Sequence, residues 1–154
     1  MSAPSESTQP AVQLQRLVDE RAIIDTTIAY TWAIDNREWD VLRNRVFLPN
    51  ATASLVGPLD GVEAIIDRIR HALEPLDDSQ HLIGNHQVTI DQDTATCRCY
   101  LQAQHIRHAA VGGANFIVAG VYSDDLVRTT DGWRIRHRTL TVQWTDGNPK
   151  VVHS

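Results

Sequence analysis

The sequence predicts an α+β fold in which N-terminal helices pack on a strongly curved, mainly antiparallel sheet. Apolar residues recur at helical spacing in the first half of the chain and at the alternating spacing of strands in the second half. Four long β-like segments follow one another with short turns between them, which is typical of an antiparallel meander. Such long strands favour a bent sheet, and a bent sheet closed by helices encloses a conical pocket suited to a small molecule.

The length of 154 residues is that of one domain, predicted over residues 13–147. Residues 1–12 are polar and rich in Pro and Ser, without the basic start and apolar segment of a secretion signal, so a disordered tail is expected there. Residues 148–154 are expected to form a short C-terminal tail. No apolar run reaches the roughly 18 residues needed to cross a bilayer, so no membrane partner is expected.

Charge and cysteine content narrow the function classes. The formal net charge is −5 and Lys and Arg form no long run, which disfavours nucleic acid as a partner. Cys97 and Cys99 are two residues apart on one strand, which suits neither a mutual disulfide nor zinc-ligand spacing. They are interpreted as buried thiols in a reducing cytoplasm, the predicted location of the protein.

Residues 13–35 are predicted to form a long first helix. Two adjacent stripes repeat along it at i, i+4, i+7 and i+11 and together form one broad face toward the core. Tyr30 lies on the first stripe and Asp35 ends the second, so both are expected to point inward. The stripes consist of Ile23, Thr27, Tyr30 and Ile34, and of Ile24, Ile28, Thr31 and Asp35.

Two shorter helices and a short strand are predicted next. Asn36 is placed to cap the second helix. Residues 51–56 have the pattern of a short strand, and Asp60 with Glu63 resembles a capping box ahead of a third helix. The apolar face of that third helix consists of Val62, Ile65, Ile66, Ile69 and Leu73.

The strands of the meander are predicted at residues 81–90, 94–108, 115–129 and 133–144. The Asp91-Gln-Asp93 and Asp131-Gly132 segments have turn composition. Arg134, Arg136 and Arg138 alternate in the last strand, which places them on one face, interpreted as a solvated sheet edge or a subunit contact.

Polar residues interrupt the inward faces of this sheet. On the second strand an apolar row from Ala95 to Ala103 ends in His105. On the first strand His81, Ile83 and Asn85 share one face, whereas His86 lies opposite and is expected to be exposed. Tyr30, Asp35, His81 and His105 are therefore the candidate catalytic residues. The candidate substrate-binding residues are Ile83, Asn85, Leu101, Phe116, Val118 and Trp144.

Each catalytic candidate has a structural alternative. Asp35 could cap a helix end, His81 could be a histidine bonded to backbone, His105 could lie at the surface end of a strand, and Tyr30 could be a core aromatic. Two histidines and an aspartate also form a facial triad for ferrous iron. The usual close His-x-Asp/Glu spacing is missing, so neither a metal nor another cofactor is expected.

The long helix with Tyr30 and Asp35, the strand opened by His81, and the Asp131-Gly-Trp-Arg-Ile-Arg136 hairpin resemble the SnoaL-like domains of the nuclear transport factor 2-like superfamily. The resemblance covers residues 13–147 and implies a cone-shaped α+β barrel. Members with an Asp–His dyad include scytalone dehydratase, bile-acid dehydratase and hexachlorocyclohexane dehydrochlorinase. By resemblance, Asp35 and His81 take the places of the dyad, Tyr30 supports the substrate oxygen, and His105 matches a second histidine.

The expected activity is therefore a cofactor-independent, dehydratase-type β-elimination on a small, hydrophobic, ring-containing substrate. Asp35 would orient His81 as general base, Tyr30 would stabilise the oxygen, and His105 could protonate the departing hydroxyl. Loss of halide or formaldehyde shares the first step. A homodimer or homotrimer through the outer sheet face is also expected.

Three other functions stay open on this pattern. Ketosteroid isomerases place carboxylates on the pocket strands, and the row from Ala95 to His105 has none. Polyketide cyclases also begin by deprotonating an activated carbon. A non-catalytic ligand-binding or oxygenase small-subunit-like module would use the same cone without the dyad.

Overall fold

The computed structural model describes residues 9–153, which form helices packed on one six-stranded sheet. The helical segments are α1 (Gln9–Asn36), α2 (Trp39–Val41, continued by a π-helical turn over Leu42–Val46), α3 (Val62–Leu73) and a 3-10 turn (Pro149–Val151). The strands are β1 (Phe47–Ser54), β2 (Pro58–Asp60), β3 (Asp78–Asp91), β4 (Thr94–Ile106), β5 (Asn115–Thr129) and β6 (Gly132–Gly147).

The sheet has the order β2-β1-β6-β5-β4-β3, and β3 is the edge strand nearest the end of α1. The strands β3 to β6 form the antiparallel meander that the sequence predicts. The strand β1 pairs with β6 in parallel, a contact absent from the sequence analysis. The predicted α+β architecture with a mainly antiparallel sheet is therefore confirmed.

The core lies between the inner face of the sheet and the helices. All five apolar residues predicted for the third helix are buried in α3. Burying aliphatic side chains of this size contributes about 1.5–3 kcal/mol each, so α3 is held by its packing face. None of the helices within residues 9–153 is long and apolar enough to cross a membrane.

Part of each predicted tail has regular structure. Residues 9–12 were predicted as disordered tail but lie in α1, whose first turn tolerates Pro10 because its missing N–H has no helical partner there. Residues 1–8 lie outside the described residues. At the other end Asn148 caps a 3-10 turn, and Val151 is fully buried, so this part of the predicted C-terminal tail packs onto the domain.

Both predicted side-chain caps are wrong. Asn36 is the last residue of α1, and α2 begins after Glu38 without a side-chain cap. The N-cap of α3 is Gly61, at φ 88°, and it likewise has no side-chain cap. Glu63 instead accepts from Arg43 Nε at 2.6 Å, so it ties α3 to the turn after α2.

Three β-bulges reverse the side-chain alternation of the long strands. The pairing of β3 with β4 shifts between Gly84 and Gln87. The pairing of β5 with β6 shifts twice, so that Arg136 and Gln143 lack a paired residue. Each extra residue exchanges the inner and outer faces for the rest of the strand, because side chains alternate with a period of two.

The bulge at Arg136 overturns one surface interpretation. Arg138 does not share a solvated face with its neighbours but is fully buried on the inner face. Its guanidinium donates to both oxygens of the buried Asp124 at 2.7 Å and lies between the rings of Tyr30 and Tyr122, 4.1 and 4.2 Å from their centroids. A buried guanidinium needs such a bidentate partner, which the adjacent strand supplies.

The convex face of the sheet carries exposed apolar side chains. Tyr100 of β4 is 54% exposed, and Leu82 and Trp144 from β3 and β6 are also exposed on this face. Trp144 was predicted to line the pocket, but the bulge at Gln143 turns it outward, so that prediction is wrong. These exposed side chains make the outer sheet face the candidate contact surface between protein chains.

A homodimer or homotrimer through the convex face stays a prediction with a direct measurement. Light scattering should give two or three times the chain mass of 17.2 kDa for the unmodified protein. Tyr100→Asp should shift the mass toward that of one chain, because a buried carboxylate without a partner is costly. Val111→Asp, at an exposed loop residue, serves as the control. An unmodified protein that is monomeric at about 100 μM, well above typical specific affinities, would contradict the prediction.

Candidate active site

The end of α1 and the beginning of β3 bring a carboxylate and an imidazole together. Asp35 lies in the last turn of α1, and its Oδ1 is 2.6 Å from Nδ1 of His81. The backbone N–H of His81 also donates to Asp35 Oδ2 at 2.8 Å. One carboxylate therefore holds both the ring and the backbone of the same residue, which fixes the direction of the imidazole. We refer to Asp35 and His81 as the dyad.

Asp35 is kept ionised by its hydrogen bonds. Besides the two donors of His81, Ser79 Oγ donates to Oδ1 at 3.0 Å. Burial by itself raises the pKa of Asp35, but the hydrogen bonds and charge of His81 and the Ser79 hydroxyl outweigh burial and hold this pKa below its usual 3.8. An ionised carboxylate only accepts hydrogen bonds, so the neutral His81 ring carries its proton on Nδ1 and presents a lone pair at Nε2.

His105 lies beside the dyad but has the wrong charge state for its predicted role. Its ring stands edge-on to His81, with 5.5 Å between centroids, and its Nδ1 donates to the Phe116 carbonyl at 3.2 Å. Burial, reinforced by the charge of His81, lowers the pKa of His105 to about 4. Near neutral pH its Nε2 is therefore an acceptor without a proton, which contradicts protonation of a departing hydroxyl by His105.

Tyr30 does not converge with the dyad. It precedes Asp35 by five residues, so the two side chains leave the helix about 140° apart. Tyr30 is buried in the core, edge-on to Phe47 at 5.9 Å and to Tyr122 at 5.6 Å. Burial raises the pKa of Tyr30. The sequence correctly predicted an inward side chain, but its expected place beside the dyad is wrong.

A groove of about 550 Å³ runs between α1 and the β3 edge, and both residues of the dyad line it. We refer to it as the dyad groove. Its charged lining within residues 9–153 consists of two carboxylates, Asp35 and Asp78, with no Lys or Arg. The His81 side chain is only 6% exposed, so the base lies in a water-poor place at the groove wall. The apolar lining residues are Ile28, Trp32, Leu82, Ile83 and Ile106.

Only one of the predicted substrate-binding residues lines this groove. Ile83 does, whereas Leu101 and Phe116 are buried core residues and Val118 packs against that core. Asn85 was predicted to face the pocket, but the β3 bulge places it at an exposed position with φ 55°. Trp144 lies on the convex face, so five of the six predicted residues do not line the groove.

The bulge that turns Asn85 outward turns His86 inward. His86 Nε2 lies 3.0 Å from the fully buried Thr27 Oγ1, and burial lowers the pKa of His86. The predicted exposure of this imidazole is wrong, because the bulge interrupts the alternation of side chains along β3. The inner face of β3 therefore carries two histidines, and only His81 has a carboxylate partner.

Sequence reasoning also missed Trp32, which is 66% exposed and lines the dyad groove one turn before Asp35. It lies outside both stripes of α1, so the helical pattern assigned it no role. A large apolar side chain left in solvent beside a polar pair was the available signal.

Within the part of the chain that the structure describes, no group of three His, Cys, Asp or Glu side chains could hold a metal ion. Cys97 and Cys99 are buried thiols, and burial raises the pKa of Cys97 to about 12. The dyad itself, with the carboxylate on Nδ1 of the imidazole, can orient a base and move a proton.

Sequence comparisons identify related proteins over most of the chain. A model of the SnoaL-like domain matches residues 15–139. An uncharacterised protein of Mycobacterium tuberculosis (strain H37Rv) is 31% identical over 135 residues, which is 84% of this chain and 89% of that protein. Terrestric acid biosynthesis cluster protein E of Penicillium crustosum is 29% identical over 155 residues, which is 96% of each chain.

Solved structures share the fold. The Kfla4162 protein of Kribbella flavida superposes with a TM-score of 0.83 at 26% identity, over 90% of this chain and 99% of that chain. A protein assigned as an aromatic ring hydroxylase of Novosphingobium aromaticivorans has a TM-score of 0.78 at 26% identity, over 88% and 97%.

Two more distant likenesses concern the fold alone. A protein assigned as a scytalone dehydratase of N. aromaticivorans has a TM-score of 0.77 at 20% identity, over 85% and 88% of the two chains. A hexachlorocyclohexane dehydrochlorinase has a TM-score of 0.77 at 18% identity, over 87% and 91%. With the family model matched over most of its length, the chain belongs to the SnoaL-like domain family and has the nuclear transport factor 2-like cone fold.

Proposed function

We propose that the protein is a cofactor-independent lyase that eliminates water from a small, hydrophobic, ring-containing substrate. The observation that carries this proposal is the 2.6 Å contact between Asp35 and Nδ1 of His81 at the wall of a partly apolar groove. A carboxylate in this position fixes the tautomer of the imidazole and stabilises the imidazolium formed when the ring accepts a proton. Fold neighbours assigned as a dehydratase and a dehydrochlorinase add support at the level of the fold.

In the proposed reaction His81 Nε2 removes a proton from a carbon next to a carbonyl or an aromatic ring. The electron pair of that C–H bond becomes the new C=C bond, and the C–O bond breaks with its electrons on the departing oxygen. Because His105 has no proton to give near neutral pH, the His81 imidazolium returns its proton to that oxygen. Water leaves, and the neutral base is restored.

The lining of the dyad groove supports the substrate class. Trp32 and Ile28 of α1 and Ile83 of β3 provide an apolar surface for a ring. The two carboxylates in the lining would repel phosphate or carboxylate groups, so a neutral substrate fits best. The Tyr30 hydroxyl, which was expected to stabilise the substrate oxygen, has no part in this revised mechanism.

A binding module is the rival proposal from another class. A ligand carrier or an oxygenase small-subunit-like chain would use the same fold, and one structural neighbour is assigned as an aromatic ring hydroxylase. Asp35 is ionised and accepts three hydrogen bonds, and it orients the His81 base. This supports the lyase proposal, because a ligand carrier does not need an oriented base. An isomerase- or cyclase-like proton transfer is the enzymatic runner-up and shares the first step.

The first prediction concerns the base. His81→Gln should lower kcat by about 10²–10⁴-fold with the fold intact, because an amide cannot accept the proton. The measurement is the loss of one water from a panel of hydroxylated steroids, polyketides and aromatic diols, followed by mass spectrometry. His71→Gln, at an exposed position of α3, is the control. A folded His81→Gln protein with full activity would reject the base assignment.

The second prediction concerns the pH dependence of stability. The pKa of Asp35 is lower in the folded protein than its usual 3.8, so ionised Asp35 stabilises the fold above that pH, and this contribution is lost as the pH falls through the lowered value. Asp35→Asn should therefore cost about 1–2 kcal/mol near pH 7, and this cost should shrink steadily as the pH falls below 3.8. Urea unfolding of the wild-type and variant proteins measures their free energies of unfolding at each pH. Asp60→Asn, at an exposed residue, is the control. If the difference in free energy of unfolding between wild type and Asp35→Asn stays constant with pH, the prediction is contradicted.

The third prediction concerns Trp32 as the wall for the substrate ring. Trp32→Ala should raise KM about tenfold or more with little change in kcat, because the indole contributes apolar contact area away from the reacting atoms. Trp144→Ala is the matched control, because it removes a second exposed tryptophan that lies on the convex face, away from the groove. Steady-state kinetics on the substrate found in the panel separates the two constants. Equal KM values for both variants would remove Trp32 from the substrate site.

A further inference from the structure

Arg37, which follows α1, makes hydrogen bonds with four neutral oxygens near the dyad. It has a positive φ of 61°, which turns the chain out of the helix and lets the side chain return toward it. Its Nη1 donates to the carbonyls of Ile34 at 2.7 Å and Asp35 at 3.3 Å, and to Ser79 Oγ at 3.0 Å. Its Nη2 donates to the carbonyl of Leu73 at 2.7 Å. The guanidinium therefore joins the C-terminal ends of α1 and α3 to the beginning of β3.

The contact with Ser79 determines the direction of one proton. A guanidinium only donates hydrogen bonds, so Ser79 Oγ must accept from Arg37. The hydroxyl has a single proton, which is then free to be donated to Asp35 Oδ1 at 3.0 Å. Ser79 is buried, so bulk water does not compete for either bond. Without the Arg37 contact, the same hydroxyl could rotate toward other acceptors.

The same donor set explains how a carboxylate is tolerated at a helix C-terminus. The helix dipole disfavours negative charge at the end of α1, where Asp35 lies. Arg37 places positive charge on the last carbonyls, and Ser79 and His81 together direct three hydrogen bonds at the carboxylate. The other titratable groups around the dyad are His105 on β4 and Asp78 on β3.

We propose that Arg37 and Ser79 are positioning residues that set the orientation and ionisation of Asp35, and through it the direction of the His81 base. The chain of donors runs from the Arg37 guanidinium through the Ser79 hydroxyl to the carboxylate that holds the imidazole. This inference rests on the proposed function for its catalytic consequence. The hydrogen-bond relay itself can be tested without any substrate.

The test follows Asp35 directly by NMR of protein labelled with ¹³C at the aspartate carboxyl carbons. Ser79→Ala should raise the pKa of Asp35, because one donor to the ionised form is lost. Arg37→Lys should also raise the pKa of Asp35, but by a smaller amount. The lysine ammonium keeps the positive charge but lacks the planar set of N–H donors of a guanidinium. Thr89→Ala, at an exposed position of the same strand, should leave the titration unchanged.

A second readout is turnover on the substrate found in the panel. Ser79→Ala should lower kcat about tenfold with KM unchanged, since a single hydrogen bond to a charged group is worth at least that factor.

If Asp35 titrates at the wild-type pH in both Ser79→Ala and Arg37→Lys, the proposal is overturned. If the titration shifts but His81→Gln stays active, the relay stands and the lyase assignment fails. If Arg37→Lys does not fold, Ser79→Ala, which keeps Arg37 in place, decides the matter alone.

Discussion

The fold and the candidate site depend on the contact between Asp35 at the end of α1 and His81 near the beginning of β3. One carboxylate accepts from the ring and from the backbone of the same residue, so the helix, the edge strand and the base are fixed by a single group. A carboxylate in this place carries a cost, because it is partly buried and lies at the negative end of a helix. Ser79 and Arg37 offset that cost, and the site is therefore built as much by its neighbours as by the dyad.

The β-bulges determine which side chains belong to the interior. One extra residue in β3 turns His86 inward and Asn85 outward, and one in β6 buries Arg138 against Asp124. Without the bulge at Arg136, the guanidinium of Arg138 would point to solvent and leave Asp124 as an unpaired carboxylate in the core, a costly arrangement. The ion pair of Arg138 with Asp124 thus favours the β5–β6 register that includes the bulge at Arg136. This register determines which side chains of β5 and β6 face inward.

The sequence could predict what depends on local periodicity. The helical stripes, the four long strands and the inward direction of Asp35 and His81 follow from spacing, and each dyad residue was visible as a polar group on an apolar face. The bulges at Arg136 and Gln143 have no comparable signal, since neither residue departs from the strand pattern around it. Tyr30 was a different error: the helical rotation of about 140° relative to Asp35 can be calculated from the sequence alone and already separates the two.

The charges around the dyad limit the proposed chemistry to one proton at a time. His105 is buried close to His81, and burial together with positive charge on that neighbour lowers its pKa to about 4, so the two rings are not charged together near neutral pH. When His81 takes a proton, the ionised Asp35, 2.6 Å from Nδ1, favours the imidazolium. No Lys or Arg in the described lining would stabilise an anionic product. A neutral carbon acid that returns its proton to its own leaving group satisfies all of these constraints, whereas a reaction that leaves negative charge in the groove does not.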